Sequence, residues 1–204
     1  MEQSKPENIE RSLKPSRSEV EKAEVNLRAI ERAKPTQSDA SKDALHVKDV
    51  KPNTTYEKNG FTYQTDKLGN TRHASGSLRL ETENRNPGIQ KEVSELGKKG
   101  DQGGHIIGAQ FSGPPDAFNL FPQNADFNAG KWSKSGWANM EREWKDALKA
   151  GKTVNVSIDL RYAENSRRPN EIYVHSNIPH EKTRDWVFEN QAKNQIRYFS
   201  GGNS

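Results

Sequence analysis

The sequence predicts an α+β fold in which an antiparallel sheet is preceded by a polar N-terminal segment, residues 1–50. Three features support this fold class. Strand and turn signals open the region after residue 50, an amphipathic helix follows in its second half, and a strictly alternating strand pattern comes after that helix. Residues 51–199 are therefore expected to form one domain, and residues 200–204 a loose tail.

The composition indicates a small core and a polyanionic partner. Only 30% of the 204 residues are hydrophobic and the mean hydropathy is -1.11, so part of the chain should be solvated. A net charge of +4 and a pI of 9.2 favour a polyanion, but weakly, because acidic residues are also abundant. No apolar run is long enough to predict a membrane span, and a soluble protein is expected.

The chain contains no cysteine. This excludes disulfides, thiolate metal sites and a cysteine nucleophile. A bound metal would have to use histidine, asparagine, carboxylates or water as ligands.

The N-terminal segment, residues 1–50, is rich in Glu, Lys, Ser and Pro and lacks aromatic residues, which is typical of a linker. One helix is nevertheless predicted inside it. Ser16 and Glu19 fit a capping box, and a narrow apolar stripe follows until Pro35. The stripe is too thin to fold alone, so a solvated or partly helical segment is the favoured interpretation.

The first half of the domain is predicted to consist of strands. Thr54 to Thr65 carries a hairpin signal at Asn59-Gly60, and Thr71 to Leu80 continues the antiparallel pattern. His105 to Phe111 is a short apolar run that predicts a buried strand, and Asn119 to Asn124 a brief extended segment.

The second half is predicted to contain one helix and a final hairpin. Apolar residues recur at helical spacing from Trp137 to Leu148, with Ser135 as the predicted N-cap and Gly151 as the stop. Val154 to Leu160 then alternates between apolar and polar residues, and Ile172 to Val174 is predicted to return beside it.

The segment Asp101-Gln102-Gly103-Gly104-His105 carries the clearest chemical signal. The glycines would let the backbone turn and leave room for a bulky substrate at the imidazole. An asparagine-rich loop and a helix with Glu141 follow, a layout in which a histidine and a hard divalent cation can flank one phosphate. Taken singly, a histidine beside glycines is more often structural, and asparagine-rich loops are more often turns.

The remaining histidines and tryptophans are weaker candidates. His46, His175 and His180 are expected to lie on the surface, and His73 is expected not to reach a cleft. Trp132, Trp137 and Trp144 could stack on bases, although helical spacing makes the last two more simply core residues.

Four motifs, in order, resemble the non-specific DNA/RNA endonucleases, particularly the branch found as C-terminal toxin domains of bacterial secreted effectors. They are Asp101 to His105, Asn119 to Asn124, Asn128 to Lys131 and the helix around Met140 to Trp144. The resemblance covers about residues 50–178 and implies the ββα-metal finger fold.

The same resemblance implies roles for five residues. His105 would be the general base, and Asn128 would bind Mg²⁺, with Mn²⁺ as a substitute. Glu141 would orient a water on the ion or Asn128 itself. Asn119 would hold its loop or touch phosphate, and Asp101 would position the residues that contact the metal or substrate.

Two departures from the family pattern stand out. Many members have Asp-Arg-Gly-His, whereas Gln102 and an added glycine replace that arginine here, so a phosphate-binding cation must come from elsewhere or be absent. The stretch between Asn128 and Glu141 is also longer, which weakens the glutamate assignment. The candidate cations are Lys98, Lys99, Arg161 and Arg168.

Kinship with the toxin branch also implies partners and a location. The substrate would be DNA or RNA, a cognate immunity protein would cover the cleft, and the chain would be secreted or delivered into a target cell. Two rival hypotheses stay open: a nucleic-acid-binding module, and an interaction protein whose nuclease motifs have decayed.

Overall fold

The computed structural model describes residues 43–128, 136–179, 181 and 183–192, and the backbone of 197–200. The chain divides into two units, Met1–Thr36 and Gln37–Ser204, and every described residue belongs to the second. The helix predicted between Ser16 and Pro35, together with Trp132, His180 and the tail at 201–204, lies outside the described residues.

The described residues form nine strands and three α-helices. The strands are β1 (Thr55–Lys58), β2 (Phe61–Thr65), β3 (Thr71–Ser77), β4 (Asp101–His105), β5 (Leu120–Asn124), β6 (Asn155–Tyr162), β7 (Pro169–Asn177), β8 (Arg184–Glu189) and β9 (Arg197–Ser200). The helices are α1 (Pro87–Ser94), α2 (Ala125–Asn128) and α3 (Trp137–Lys149).

Seven of the strands form one antiparallel sheet in the order β1-β2-β3-β6-β7-β8-β9, whereas β4 and β5 pair with each other in a separate sheet. The predicted α+β class with an antiparallel sheet is confirmed. The hairpin predicted at Asn59-Gly60 is also confirmed: both residues have positive φ, 54° and 77°, as a tight turn between twisted strands requires.

The sheet is larger than the sequence indicated. A final hairpin was expected after α3, but β8 and β9 extend the sheet beyond β7. β8 escapes a period-two search because Trp186, Val187 and Phe188 are consecutive buried residues. Helix α1 was also not anticipated, since only Ile89 and Val93 form its buried face.

The core lies between α3 and the large sheet. Trp144 packs edge-on against Trp186 with ring centroids 6.1 Å apart, and Trp137 lies 5.3 Å from Phe188. Both α3 tryptophans are buried, so their expected core role is confirmed. The N-cap of α3 is Gly136, and Ser135, the predicted cap, lies outside the described residues.

The strand predicted at His105 to Phe111 is misplaced. The strand precedes the histidine and ends at it, and residues 109–111 form a 3-10 turn. The side chain of Asn119 explains the change: its Oδ1 accepts a bond from Ile107 N, and its Nδ2 donates to Ile107 O, both at 3.0 Å. These bonds satisfy the backbone that a continuing strand would have paired.

Two buried polar contacts attach the β4–β5 pair to the large sheet. The Asn190 side chain accepts a bond from Asn124 N at 2.8 Å and donates to Pro122 O and Pro169 O at 2.8 and 2.9 Å. Asp101 and Arg168 form a bidentate ion pair with the shortest N···O distance at 2.5 Å. Both contacts lie at the end of β4–β5 away from His105.

The folded domain begins before residue 51, the boundary that composition indicated. Ala44 is buried, Leu45 N donates to Asp116 Oδ1 at 2.9 Å, and Leu45 O accepts from Ala117 N at 2.8 Å. Residues 43–50 therefore pack onto the domain. None of the described helices is long and apolar enough to cross a membrane.

Replacing Asn190 with alanine should destabilise the domain by about 3 kcal/mol, because two buried backbone carbonyls and one partly buried N–H would lose their partner, at about 1–3 kcal/mol for a buried group. Urea unfolding of the variant and the parent protein measures this loss. Asn177→Ala, at an exposed position of β7, is the matched control and should change stability by less than about 0.5 kcal/mol. Equal effects of the two substitutions would contradict the anchoring role.

Candidate active site

A cleft of about 210 Å³ opens where β4 ends and α2 and α3 face each other. Its wall combines one histidine, one carboxylate, one guanidinium and several amides, and its polar lining is suited to a charged ligand. The lining residues are Arg85, Gln90, Gly103, Gly104, His105, Gly108, Ala109, Gln110, Asn128, Trp137, Ala138 and Glu141. Three of the residues singled out by sequence, His105, Asn128 and Glu141, are brought together here.

His105 is the last residue of β4, so the ladder with β5 holds its backbone at Leu120. Its Nε2 is buried and has no hydrogen-bond partner among the described residues. Burial, and then the positive charge of Arg85, lower the pKa of His105 to about 4. The imidazole is therefore neutral at pH 7 and can accept a proton.

Gly103 and Gly104 are required for packing. A Cβ on Gly103 would lie 2.3 Å from Gln90 O in α1, and a Cβ on Gly104 would lie 1.8 Å from Gln123 Oε1. The expectation that these glycines leave room for substrate is wrong, because Gln90 and Gln123 occupy the space beside them. They let α1 and Gln123 approach the strand that ends in His105.

Asn128 ends the short helix α2, whose start is fixed by Asn124. The Asn124 side chain accepts bonds from Asp126 N and Phe127 N at 3.1 and 3.2 Å. The Asn128 side chain is exposed, and its Nδ2 donates to Gln102 Oε1 at 2.7 Å. Because nitrogen is the donor in this bond, Oδ1 is the atom of Asn128 that suits a hard cation.

Glu141 projects from α3 into the cleft. Its Oε2 accepts a bond from Gln110 Nε2 at 3.2 Å, and a Cβ on Gly108 would lie 2.7 Å from its Oε1. Burial raises the pKa of Glu141, while a hydrogen bond with Trp137 and the charge of Arg85 act in the opposite direction. A carboxyl with a raised pKa in a cleft is a feature of functional sites.

The described donors in the cleft can hold a hard cation. Among the described residues no three or more His, Asp or Glu side chains group closely enough to hold an ion. A zinc-type site with several protein ligands is therefore not formed by these residues. Magnesium retains most of its waters and needs one or two protein oxygens, which Asn128 can supply beside Glu141.

Arg85 is a cleft residue that sequence reasoning missed. It precedes the Asn86 cap and Pro87 that start α1, and its charge acts on both His105 and Glu141. The Asn-Pro pair could have revealed the helix start. Only the folded chain brings a residue 20 positions before His105 into the same cleft.

Two predicted site residues serve the framework instead. Asn119 is fully buried and holds the loop after His105, and its side chain also donates to Pro114 O at 2.8 Å. The alternative prediction, that Asn119 contacts phosphate, is therefore wrong. Arg168 does not line the cleft either, because its guanidinium is bound to the buried carboxylate of Asp101. Asp101 supports the end of β4 remote from His105.

The other candidate cations also lie elsewhere. Lys98, Arg161 and Arg168 line a second depression of about 540 Å³ that also contains Glu171 and Glu189. The Arg161 guanidinium lies over the Tyr173 ring, 4.1 Å from its centroid. Lys99 is exposed before β4 and lines neither depression.

Three other histidines pair with carboxylates outside the cleft. His46 bonds Glu92 at 2.7 Å, His73 bonds Asp159 at 2.8 Å and His175 bonds Asp185 at 2.6 Å. The expectation that His73 does not reach the cleft is confirmed.

Residues 52–179, more than half of the chain, match the family model described as DNA/RNA non-specific endonuclease. The chain belongs to this family. It is therefore a nuclease. The expected ββα arrangement is formed by β4, β5 and the helices after them, which carry His105, Asn128 and Glu141.

Relatives of the endonuclease include a secretion-system protein. A segment of 129 residues is 35% identical to type VII secretion system protein EssD of Staphylococcus aureus strains USA300 and NCTC 8325 and covers 61% of this chain. It spans only 21% of EssD. A solved structure, NucA from Streptococcus agalactiae with a magnesium ion bound, is 14% identical, with a TM-score of 0.49 over 72% of this chain and 79% of NucA.

Substituting Arg85 with leucine should raise the pKa of His105 above about 4, because one positive charge that opposes protonation is removed. The pKa should stay below the ordinary value of about 6.5, since burial is the larger cause. Titration of the imidazole by NMR measures the shift. Arg72→Leu removes an arginine bonded to Gln64 on the sheet and should leave the pKa unchanged. An unchanged pKa in the Arg85 variant would show that the two side chains do not interact.

Proposed function

We propose that this endonuclease is metal-dependent and hydrolyses phosphodiester bonds of DNA, RNA or both with little sequence preference, using His105 as general base. The observation that carries the proposal is a neutral, largely buried His105 in one cleft with Asn128 and Arg85, its Nε2 having no hydrogen-bond partner among the described residues. A base, a cation ligand and a phosphate-binding charge are thereby within one site.

The His105 imidazole takes the proton of the attacking water. Burial keeps the imidazole uncharged until that step, and the neighbouring Arg85 disfavours the imidazolium, so the acquired proton is readily given up again. A base with a pKa of about 4 is weak in the free protein. The negative charge of a bound phosphate beside Arg85 would raise that pKa toward the operating pH.

Arg85 binds a non-bridging oxygen of the scissile phosphate. It takes the place of the arginine that Gln102 replaces in the Asp-Arg-Gly-His pattern, because it is the arginine that lines the cleft in the described part of the chain. A guanidinium can hold phosphate through two parallel hydrogen bonds. Its removal should therefore weaken substrate binding as well as the chemical step.

Asn128 would hold magnesium through Oδ1. When bound, the ion supplies positive charge that stabilises the negative charge developing on the phosphate oxygens. Glu141, fixed by Gln110 and Trp137, orients a water molecule in the cleft. Manganese has similar ligand preferences and could substitute.

The absence of sequence preference follows from the kind of contact that these residues can make. His105, Asn128 and Arg85 recognise phosphate, water and a cation, and such contacts carry no base information. Binding that depends on phosphate charge weakens as salt rises. Either nucleic acid could enter such a cleft.

The biological role is proposed from the similarity to EssD. A nuclease domain resembling about a fifth of a type VII secretion system protein would act as a secreted effector of the toxin type, delivered into a target cell. A cell that makes such a nuclease needs an immunity protein that blocks the cleft containing His105.

The test is digestion of plasmid DNA and total RNA by the purified protein with magnesium and with chelator. His105→Ala should reduce the cleavage rate at least about 100-fold, because general base catalysis contributes about 10²- to 10⁴-fold. Chelator should abolish cleavage. His73→Ala, which removes a histidine paired with Asp159 on the sheet, should cleave at the parent rate.

Two results would overturn the proposal. Full activity of His105→Ala would remove the histidine from the mechanism. A parent protein that binds nucleic acid but cleaves none with any divalent ion would support a binding module instead.

A further inference from the structure

We propose that Gln102 is a positioning residue for Asn128 and holds its side chain with Oδ1 left to bind the cation. The inference rests on the proposed function, because it requires Asn128 to be the metal ligand. Gln102 Oε1 accepts a hydrogen bond from Asn128 Nδ2 at 2.7 Å, and both side chains are exposed beside the cleft.

A primary amide has two ends of nearly the same size but opposite function. The oxygen can bind a hard cation, whereas the NH2 group is only a donor and repels it. Rotation of the Asn128 amide by half a turn would therefore convert a ligand into an obstacle. With Gln102 Oε1 at Nδ2, the amide keeps its hydrogen bond in the orientation that leaves Oδ1 for the cation, and the opposite orientation would require the Gln102 amide to turn as well.

Gln102 can serve in this way because its own backbone is fixed. It lies inside β4 and pairs with Gln123 of β5, so its side chain starts from a hydrogen-bonded ladder. A glutamine also offers an oxygen acceptor, which a lysine or an arginine at this position would lack.

The start of the helix that carries Asn128 is fixed independently. Asn124 caps α2 through Oδ1, and Asn190 holds the Asn124 backbone N–H at 2.8 Å. The side chain of Asn128 can still rotate about its own torsions. The bond to Gln102 restricts that freedom.

The role predicts a loss of metal affinity without a loss of fold. Gln102→Leu removes the acceptor at similar size, and Mn²⁺ binding measured by EPR should weaken about two- to tenfold, the equivalent of one hydrogen bond. The metal concentration for half-maximal cleavage should rise by the same factor, while the rate at saturating metal is retained. Gln64→Leu, at a sheet glutamine bonded to Arg72, should change neither quantity.

A second background separates positioning from a general structural effect. In Asn128→Asp both terminal atoms are oxygen, so the orientation of the group no longer matters. The bond from Nδ2 to Gln102 is also gone, so Gln102→Leu should cause a smaller loss of Mn²⁺ affinity in that background. A purely structural role of Gln102 would produce the same loss in both backgrounds and would overturn the inference.

The failure of the inference and that of the proposed function give different results. If Asn128→Ala leaves Mn²⁺ affinity unchanged, the proposed metal site is wrong, and the inference fails with it. If Asn128→Ala weakens Mn²⁺ binding but Gln102→Leu does not, the metal site stands and the positioning role is overturned. Equal thermal unfolding midpoints of the variants confirm that each protein is folded.

Discussion

The candidate site depends on the attachment of a two-stranded sheet, β4 and β5, to a seven-stranded one with which it shares no strand pairing. Buried side chains make the connection: Asn190 binds backbone groups of both sheets, and Arg168 binds Asp101. A buried polar group that loses its partner is costly, so such contacts permit one arrangement and exclude near alternatives. His105 and Asn128 therefore lie at fixed positions relative to each other.

Within this frame the cleft combines low solvent exposure with positive charge. Burial keeps His105 neutral and raises the pKa of Glu141, and Arg85 acts on both groups. These conditions favour a bound anion and a proton acceptor in the same small volume. In the proposed role of Gln102, its hydrogen bond with Asn128 leaves Oδ1 for the cation. Packing, electrostatics and ligand geometry thus act on the same few residues.

The sequence predicted the antiparallel α+β fold, the first hairpin and the three residues that meet in the cleft, because each has a local signal at the end of an element. It did not predict Arg85, which reaches the cleft only through the tertiary position of α1. Of the two roles expected of Asn119, the structure shows the loop-holding one, and the sequence could not separate them because both require only a polar side chain beside the site. The strand predicted at 105–111 was wrong because its apolar residues are buried without strand pairing.

The most direct test of the account is a crystal structure of the protein with manganese, located by its anomalous scattering. The account predicts one strong peak in the cleft, at ligand distance from Asn128 Oδ1 and within reach of a phosphate that faces the His105 imidazole. Manganese bound instead at the His73 and Asp159 pair on the sheet, with none in the cleft, would contradict it.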